Sequence, residues 1–128
     1  MKREYVARTT RERGDEGEAC AARYLQERGF RILERNFRIR RGEVDIIAVR
    51  DDILAFCEVK SWRTLPVESL EYALSCEKRR RIITTAAVYR QKNPEYESYH
   101  VRFDVLHIAT ASENPIVTHL ESAFDGES

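Results

Sequence analysis

Residues 42–60, GEVDIIAVRDDILAFCEVK, decide most of what this chain can become. Two apolar runs flank Asp51-Asp52, the pattern of two β-strands joined by a tight turn. Yet Asp45, Glu58 and Lys60 fall inside those runs. Isolated charges in a core are costly, so they need partners, a metal or a chemical task.

Side chains alternate faces along a strand. Val44, Ile46 and Ala48 are therefore expected on one face, with Glu43, Asp45, Ile47 and Val49 on the other. Leu54, Phe56, Glu58 and Lys60 share a face of the next strand. A two-residue turn at Asp51-Asp52 sets Asp45 opposite Glu58, and Glu43 opposite Lys60. Opposed β-carbons lie roughly 4.5–5.5 Å apart, where like charges repel. A cation between the two carboxylates relieves this, and oxygen donors suit Mg²⁺ or Mn²⁺. The competing reading is an ion-pair cluster on a solvated sheet face, and a one-residue slip in register would undo the arrangement.

Around this hairpin the chain reads as α-β-β-β-α-β. A helix is expected over 15–28, with Asp15 as N-cap and Gly29 as the C-terminal stop. Strands follow at 30–39, 43–50 and 53–61, a loop with Pro66, and a helical turn at 68–74. Ser75 caps a helix running to Lys92, stopped by Asn93-Pro94. A fourth strand spans 100–108 and a short fifth 115–121. This is an α/β protein with a mixed sheet flanked by helices. The expected organisation is a mobile segment 1–13, a single domain 14–121 and an acidic tail 122–128.

On the first helix, Glu18 heads the apolar stripe of Ala21, Ala22 and Leu25 that should dock on the sheet. Asp15 and Glu18 also have capping-box spacing, which gives Glu18 a purely structural alternative. On the later helix, Lys78 shares a stripe with Ile82, Thr85, Ala86 and Tyr89 and should face the sheet.

The chain has 128 residues, 42% hydrophobic and 34% charged, which suits one globular domain. No run is apolar enough for a membrane span or a signal-peptide core, so a cytoplasmic protein is expected. The zero net charge hides an asymmetry: residues 1–41 carry 12 Lys and Arg against 7 Asp and Glu, residues 77–92 carry 6 against 1, and residues 93–128 carry 1 against 7. Lys78, Arg79, Arg80 and Arg81, with Arg38, Arg40, Arg41 and Arg63, are the candidate phosphate-binding residues. Solvated basic surface is the alternative. Cys20, Cys57 and Cys76 show no C-x-x-C spacing and are expected as buried free thiols. His107 is expected as a core histidine, Arg102 and Asp104 as a structural pair, and Tyr24, Trp62 and Tyr89 as packing residues.

The series G-x-x-G-E (14–18), Asn36-Phe37-Arg38, G-E-V-D (42–45), E-V-K (58–60), Lys78 and R-F-D (102–104) resembles the YraN-like family of small bacterial proteins. These are similar in turn to the PD-(D/E)XK nuclease superfamily, especially archaeal Holliday junction resolvases. The resemblance implies a restriction-endonuclease-like αβββαβ core. It implies that Asp45 and Glu58 hold Mg²⁺, that the Val59 carbonyl is available as a ligand, and that Glu18 reaches the ion directly or through water. Lys60 would orient or deprotonate the attacking water. Val44 stands where the superfamily's name has Pro, and Trp62 where a basic residue is expected.

The expected function is metal-dependent hydrolysis of DNA phosphodiesters, on branched or recombination intermediates among others. The alternative is a non-catalytic nucleic-acid-binding accessory protein; a third reading is an RNA-directed nuclease. Nucleic acid, mainly DNA, is the expected partner, no membrane is expected, and homodimerisation stays open.

Overall fold

Gly29 adopts φ 89, a conformation that suits glycine, and it ends the first helix as expected. The amide of Phe30 reaches back to the Leu25 carbonyl at 3.0 Å and closes that helix end. The computed structural model describes residues 10–62, 74–110 and 113–126, with side chains from residue 16 onward. Its elements are α1 (Thr10–Glu27), β1 (Arg31–Ile39), β2 (Gly42–Arg50), β3 (Ile53–Trp62), α2 (Cys76–Lys92), a 3₁₀ turn at Pro94–Tyr96, β4 (His100–Ala109) and β5 (Ile116–Phe124).

The five strands form one sheet in the order β1-β2-β3-β4-β5. β3 and β4 are parallel, and the other neighbours are antiparallel. A parallel pair needs a long crossover, and α2 lies in it. This is an α/β fold with a mixed sheet and an αβββαβ core of restriction-endonuclease type.

α1 covers one face, where Ala21, Ala22 and Leu25 pack with Ile46, Ala48, Ala55, Cys57, Leu106 and Ile108. α2 covers the other, where Ile82, Ala86 and Tyr89 pack on Ile47, Leu54, Phe56, Phe103 and Val105. Leu54, Phe56, Ile46 and Ile47 are fully buried. Each such side chain contributes about 1.5–3 kcal/mol relative to exposure. Tyr89 meets Phe37 edge-on at 5.2 Å, so it is a packing residue as expected. Among the described residues no helix is long and apolar enough to cross a membrane.

Four expectations need correction. α1 starts by Thr10, so residues 10–13 are helical and Asp15 lies inside the helix. Asp15 therefore cannot be its N-cap. The helix continues through Gly14 and Gly17, and Gly17 lets it approach β3: a β-carbon there would lie 1.7 Å from Ser61 Oγ. Val44 joins the α2-side cluster with Ile47, not Ile46 and Ala48, because strand alternation breaks at Asp45. β5 runs on to Phe124, into the segment expected as a tail, and Phe124 stacks on Phe103 at 5.0 Å. Cys57 is buried, but Cys20 is half-buried and Cys76 is exposed at the start of α2. The helical turn expected at 68–74 falls, except for Leu74, outside the described residues.

Arg102 and Asp104 pair as expected, with Arg102 Nη2 and Nε each 2.9 Å from an Asp104 oxygen. Two partners were not foreseen: His119 Nε2 at 2.7 Å and the Ser122 amide at 3.1 Å. Burial alone would raise the Asp104 carboxyl, but these hydrogen bonds hold it below the ordinary carboxylate range. His107 is fully buried, and its Nδ1 accepts from Trp62 Nε1 at 3.1 Å. That is the expected core histidine.

Candidate active site

The β2–β3 ladder runs in the expected register from Arg50↔Ile53 to Ile46↔Cys57 and stops there. The two-residue turn holds, with Asp51 at φ 54. One more step would set Asp45 backbone to backbone against Glu58. Instead the strands part, and Asp45 Oδ2 accepts the Val59 amide at 2.8 Å. On the other side, β1 places Asn36 in register with Asp45, between Arg35↔Ile46 and Phe37↔Val44. Asn36 has φ 55, which asparagine tolerates better than most residues.

Asp45 and Glu58 nonetheless meet through their side chains. Burial, the negative charge of Glu58 and a hydrogen bond to it raise the Asp45 carboxyl to about 7; the Val59 amide opposes this, and Glu18 adds a smaller push upward. Glu58 is buried at 5% exposure, on the face covered by α2. Its Oε1 lies 3.7 Å from Lys60 Nζ and 2.5 Å from Lys78 Nζ. Burial and the neighbouring Lys78 push Lys60 below the ordinary lysine range. Burial would do the same to Lys78, but its hydrogen bond to Glu58 raises it instead.

Three of the four candidate catalytic residues, Asp45, Glu58 and Lys60, are thus brought together. Glu18 approaches from α1, near enough for its charge to act on Asp45, and its Oε1 accepts from Asn36 Nδ2 at 2.8 Å and lies 3.4 Å from Arg35 Nε. Among the described residues, no three His, Cys, Asp or Glu side chains gather as a metal cage. A two-carboxylate site still fits Mg²⁺, which is commonly bound by one or two carboxylates and completes its shell with water and phosphate oxygen. Glu43 does not oppose Lys60, because the ladder ends before reaching it. It pairs with Arg38 across the β1–β2 hairpin at 2.8 Å.

Beside the carboxylates lies a groove of about 1030 Å³. Arg38, Arg40 and Arg41 line it from the β1–β2 hairpin, and Lys78, Arg80 and Arg81 from the first turns of α2. Gly42 permits this approach, since a β-carbon there would sit 2.6 Å from Thr85 Oγ1 and 3.0 Å from the Arg81 carbonyl. The Ser75 side chain accepts the Lys78 amide at 3.1 Å and fixes where α2 begins. Six of the eight expected phosphate-binding residues therefore share one groove. Arg79 lies elsewhere, with its guanidinium 6.0 Å from the Phe124 ring, and Arg63 is outside the described residues. The groove also carries two acids that offset part of the charge: Glu43 pairs with Arg38, and Glu77 with Arg81.

The profile of the uncharacterised protein family UPF0102 matches residues 17–108, from the start of the α1 docking stripe to the end of β4. The chain belongs to the UPF0102 family. UPF0102 proteins from Anaeromyxobacter dehalogenans and Trichlorobacter lovleyi are 40% and 42% identical to it over 114 residues, covering 84% and 89% of those chains. One from Clostridium perfringens is 40% identical over 92 residues, covering 72% of this chain and 75% of its own. The UPF0102 match takes in Glu18, Asp45, Glu58, Lys60 and Lys78 and stops short of β5.

Proposed function

We propose that this UPF0102 protein hydrolyses DNA phosphodiester bonds with a divalent cation held between Asp45 and Glu58. The observation that carries this reading is the Asp45–Glu58 pair: burial first, and then the facing Glu58 carboxylate, raise the Asp45 carboxyl to about 7. Strongly perturbed carboxylates beside a groove are a common mark of functional sites. Bound there, Mg²⁺ or Mn²⁺ would polarise a phosphoryl oxygen and lower the pKa of coordinated water. The protein's own groups do the rest. Arginines of the groove hold the phosphate backbone, and Lys60, on the same sheet face as Glu58, sets positive charge and a proton donor beside the reacting phosphate.

One observation favours the second reading, a non-catalytic nucleic-acid-binding protein. Lys78 Nζ lies 2.5 Å from Glu58 Oε1 and offsets its charge, the part a metal cation would otherwise play. The experiment is a pair of curves on one branched DNA, binding in calcium and cleavage in manganese. Lys60→Ala should keep most of the affinity and lose cleavage by about 10²–10³-fold. Wild type that is inert on branched, nicked and single-stranded DNA and on RNA would favour the binding protein. Cleavage of RNA alone would redirect the substrate.

A further inference from the structure

We infer that Lys78 is an exchangeable counter-ion that couples nucleic-acid binding in the groove to divalent-cation binding at Asp45 and Glu58. The inference rests on the proposed cation site and adds a regulator to it. Among the described residues, Lys78 is the cation that both lines the groove and pairs with Glu58. The two ends of this pair are unequally held. The Glu58 side chain is 6% exposed, whereas that of Lys78 is 40% exposed and that of Lys60 27%.

Charge bookkeeping then sets the order of preference. Without a cation, two carboxylates face two ammonium groups in mutual contact. A divalent cation added to that set would leave four positive charges against two negative ones, so one ammonium must turn away. Lys78 is the more exposed of the two, and its flexible four-carbon stem lets the ammonium swing while the helix stays in place. Its position in the first turn of α2 is also where a helix disfavours a cation lacking an anionic partner. Backbone phosphate in the groove supplies that partner. A bound polyanion therefore draws Lys78 off Glu58 and frees the carboxylate for the cation. An empty groove leaves Lys78 in place and weakens cation binding.

Coupling of this kind is reciprocal, so either binding equilibrium reports it. The measurement is calorimetric titration of Mn²⁺ into chelator-treated protein, alone and saturated with a short DNA duplex. The same titration of Asp45→Asn supplies the blank for ions held by the DNA itself. Wild type should bind Mn²⁺ about tenfold more tightly with DNA than without. Lys78→Met should bind Mn²⁺ more tightly than wild type in the absence of DNA, and the gain from DNA should shrink to about twofold or less. Lys78→Gln, which adds no apolar surface, should repeat that result, and Lys78→Arg, which keeps the charge, should restore the gain. Equal Mn²⁺ affinity with and without DNA in wild type, above the Asp45→Asn blank, would overturn the coupling and leave the cation site standing. No Mn²⁺ binding above that blank in either state would remove the site, and the inference with it.

Discussion

Asp45 Oδ2 accepts the Val59 amide at 2.8 Å, one residue beyond the last regular β2–β3 pair. A side chain thus takes over a donor that a neighbouring strand's carbonyl would otherwise use. This anchors the Asp45 carboxylate on the strand that carries Glu58 and Lys60. Burial and the neighbouring Glu58 carboxylate nonetheless make ionisation of Asp45 costly, against the pull of that amide.

In chelator, Asp45→Asn should therefore stabilise the protein at pH 8. The carboxyl rises from 3.8 to about 7, so the native state binds more protons than the unfolded chain between those values. Stability should fall as pH climbs from about 4 to about 7 and level off above. The amide still offers an oxygen to the Val59 N–H, so the gain should be about 1–3 kcal/mol at pH 8 and small at pH 4. Urea denaturation at the two pH values measures it, and a destabilised variant at pH 8 would mean that the charge is needed structurally.

Asp104→Ala should cost about 3–5 kcal/mol at neutral pH, because it leaves Arg102 without its buried partner. The Asp104 carboxyl lies below its ordinary 3.8, so its contribution is full above that value and is lost as pH falls through the lowered native value. Denaturation curves of wild type and variant should be well separated at pH 7 and converge in acid.

Gly42→Ala tests the groove without removing a charge. Its β-carbon would meet Thr85 and the Arg81 carbonyl, so the β1–β2 hairpin must move away from α2. The expected cost is about 1–3 kcal/mol, typical of overpacking. Nucleic-acid affinity should drop with it, as read by fluorescence anisotropy.

Replacing Arg40 and Arg80 together by Ala should weaken binding to all DNA sequences alike. If each contacts one phosphate, the slope of log affinity against log salt should shrink by about 2. An unchanged slope would place the DNA on another surface.

The sequence was most readable where the local pattern and the fold agree. The Asp51-Asp52 turn and the alternating apolar residues fix β2 against β3 from Arg50 to Ile46, and the stripe from Ile82 to Tyr89 is buried as read. Legibility fails at the site itself. Alternation assumes a regular strand, but at Asp45 the alternation within β2 is interrupted and the pairing with β3 has ended, so Val44 changes face and Glu43 never meets Lys60. Departures from local rules gather at such places. The stripe showed that Lys78 faces the sheet, but its spacing could not reveal Glu58 as its partner. The start of α1 was misplaced because Asp15 is a good cap in isolation, while the approach of Gly17 to Ser61 is a tertiary fact. His119 gave no signal, since it reaches Asp104 from the neighbouring strand β5. Asn36 was legible only as part of a motif, and its hold on Glu18 required the fold.

The irregularities that shape the site also alter both borders of the sheet. β1 has a register shift between Ile32 and Glu34, Asn36 at φ 55, and exposed Arg31, Glu34, Arg35 and Arg38. β5 faces a register shift between Phe103 and Val105 and has Ser122 at φ 50 beside exposed Glu121. A straight, uncharged border would offer its free amides and carbonyls as a template for another chain's strand. Here each border is interrupted and charged, which keeps foreign strands from adding on and guards the sheet against aggregation.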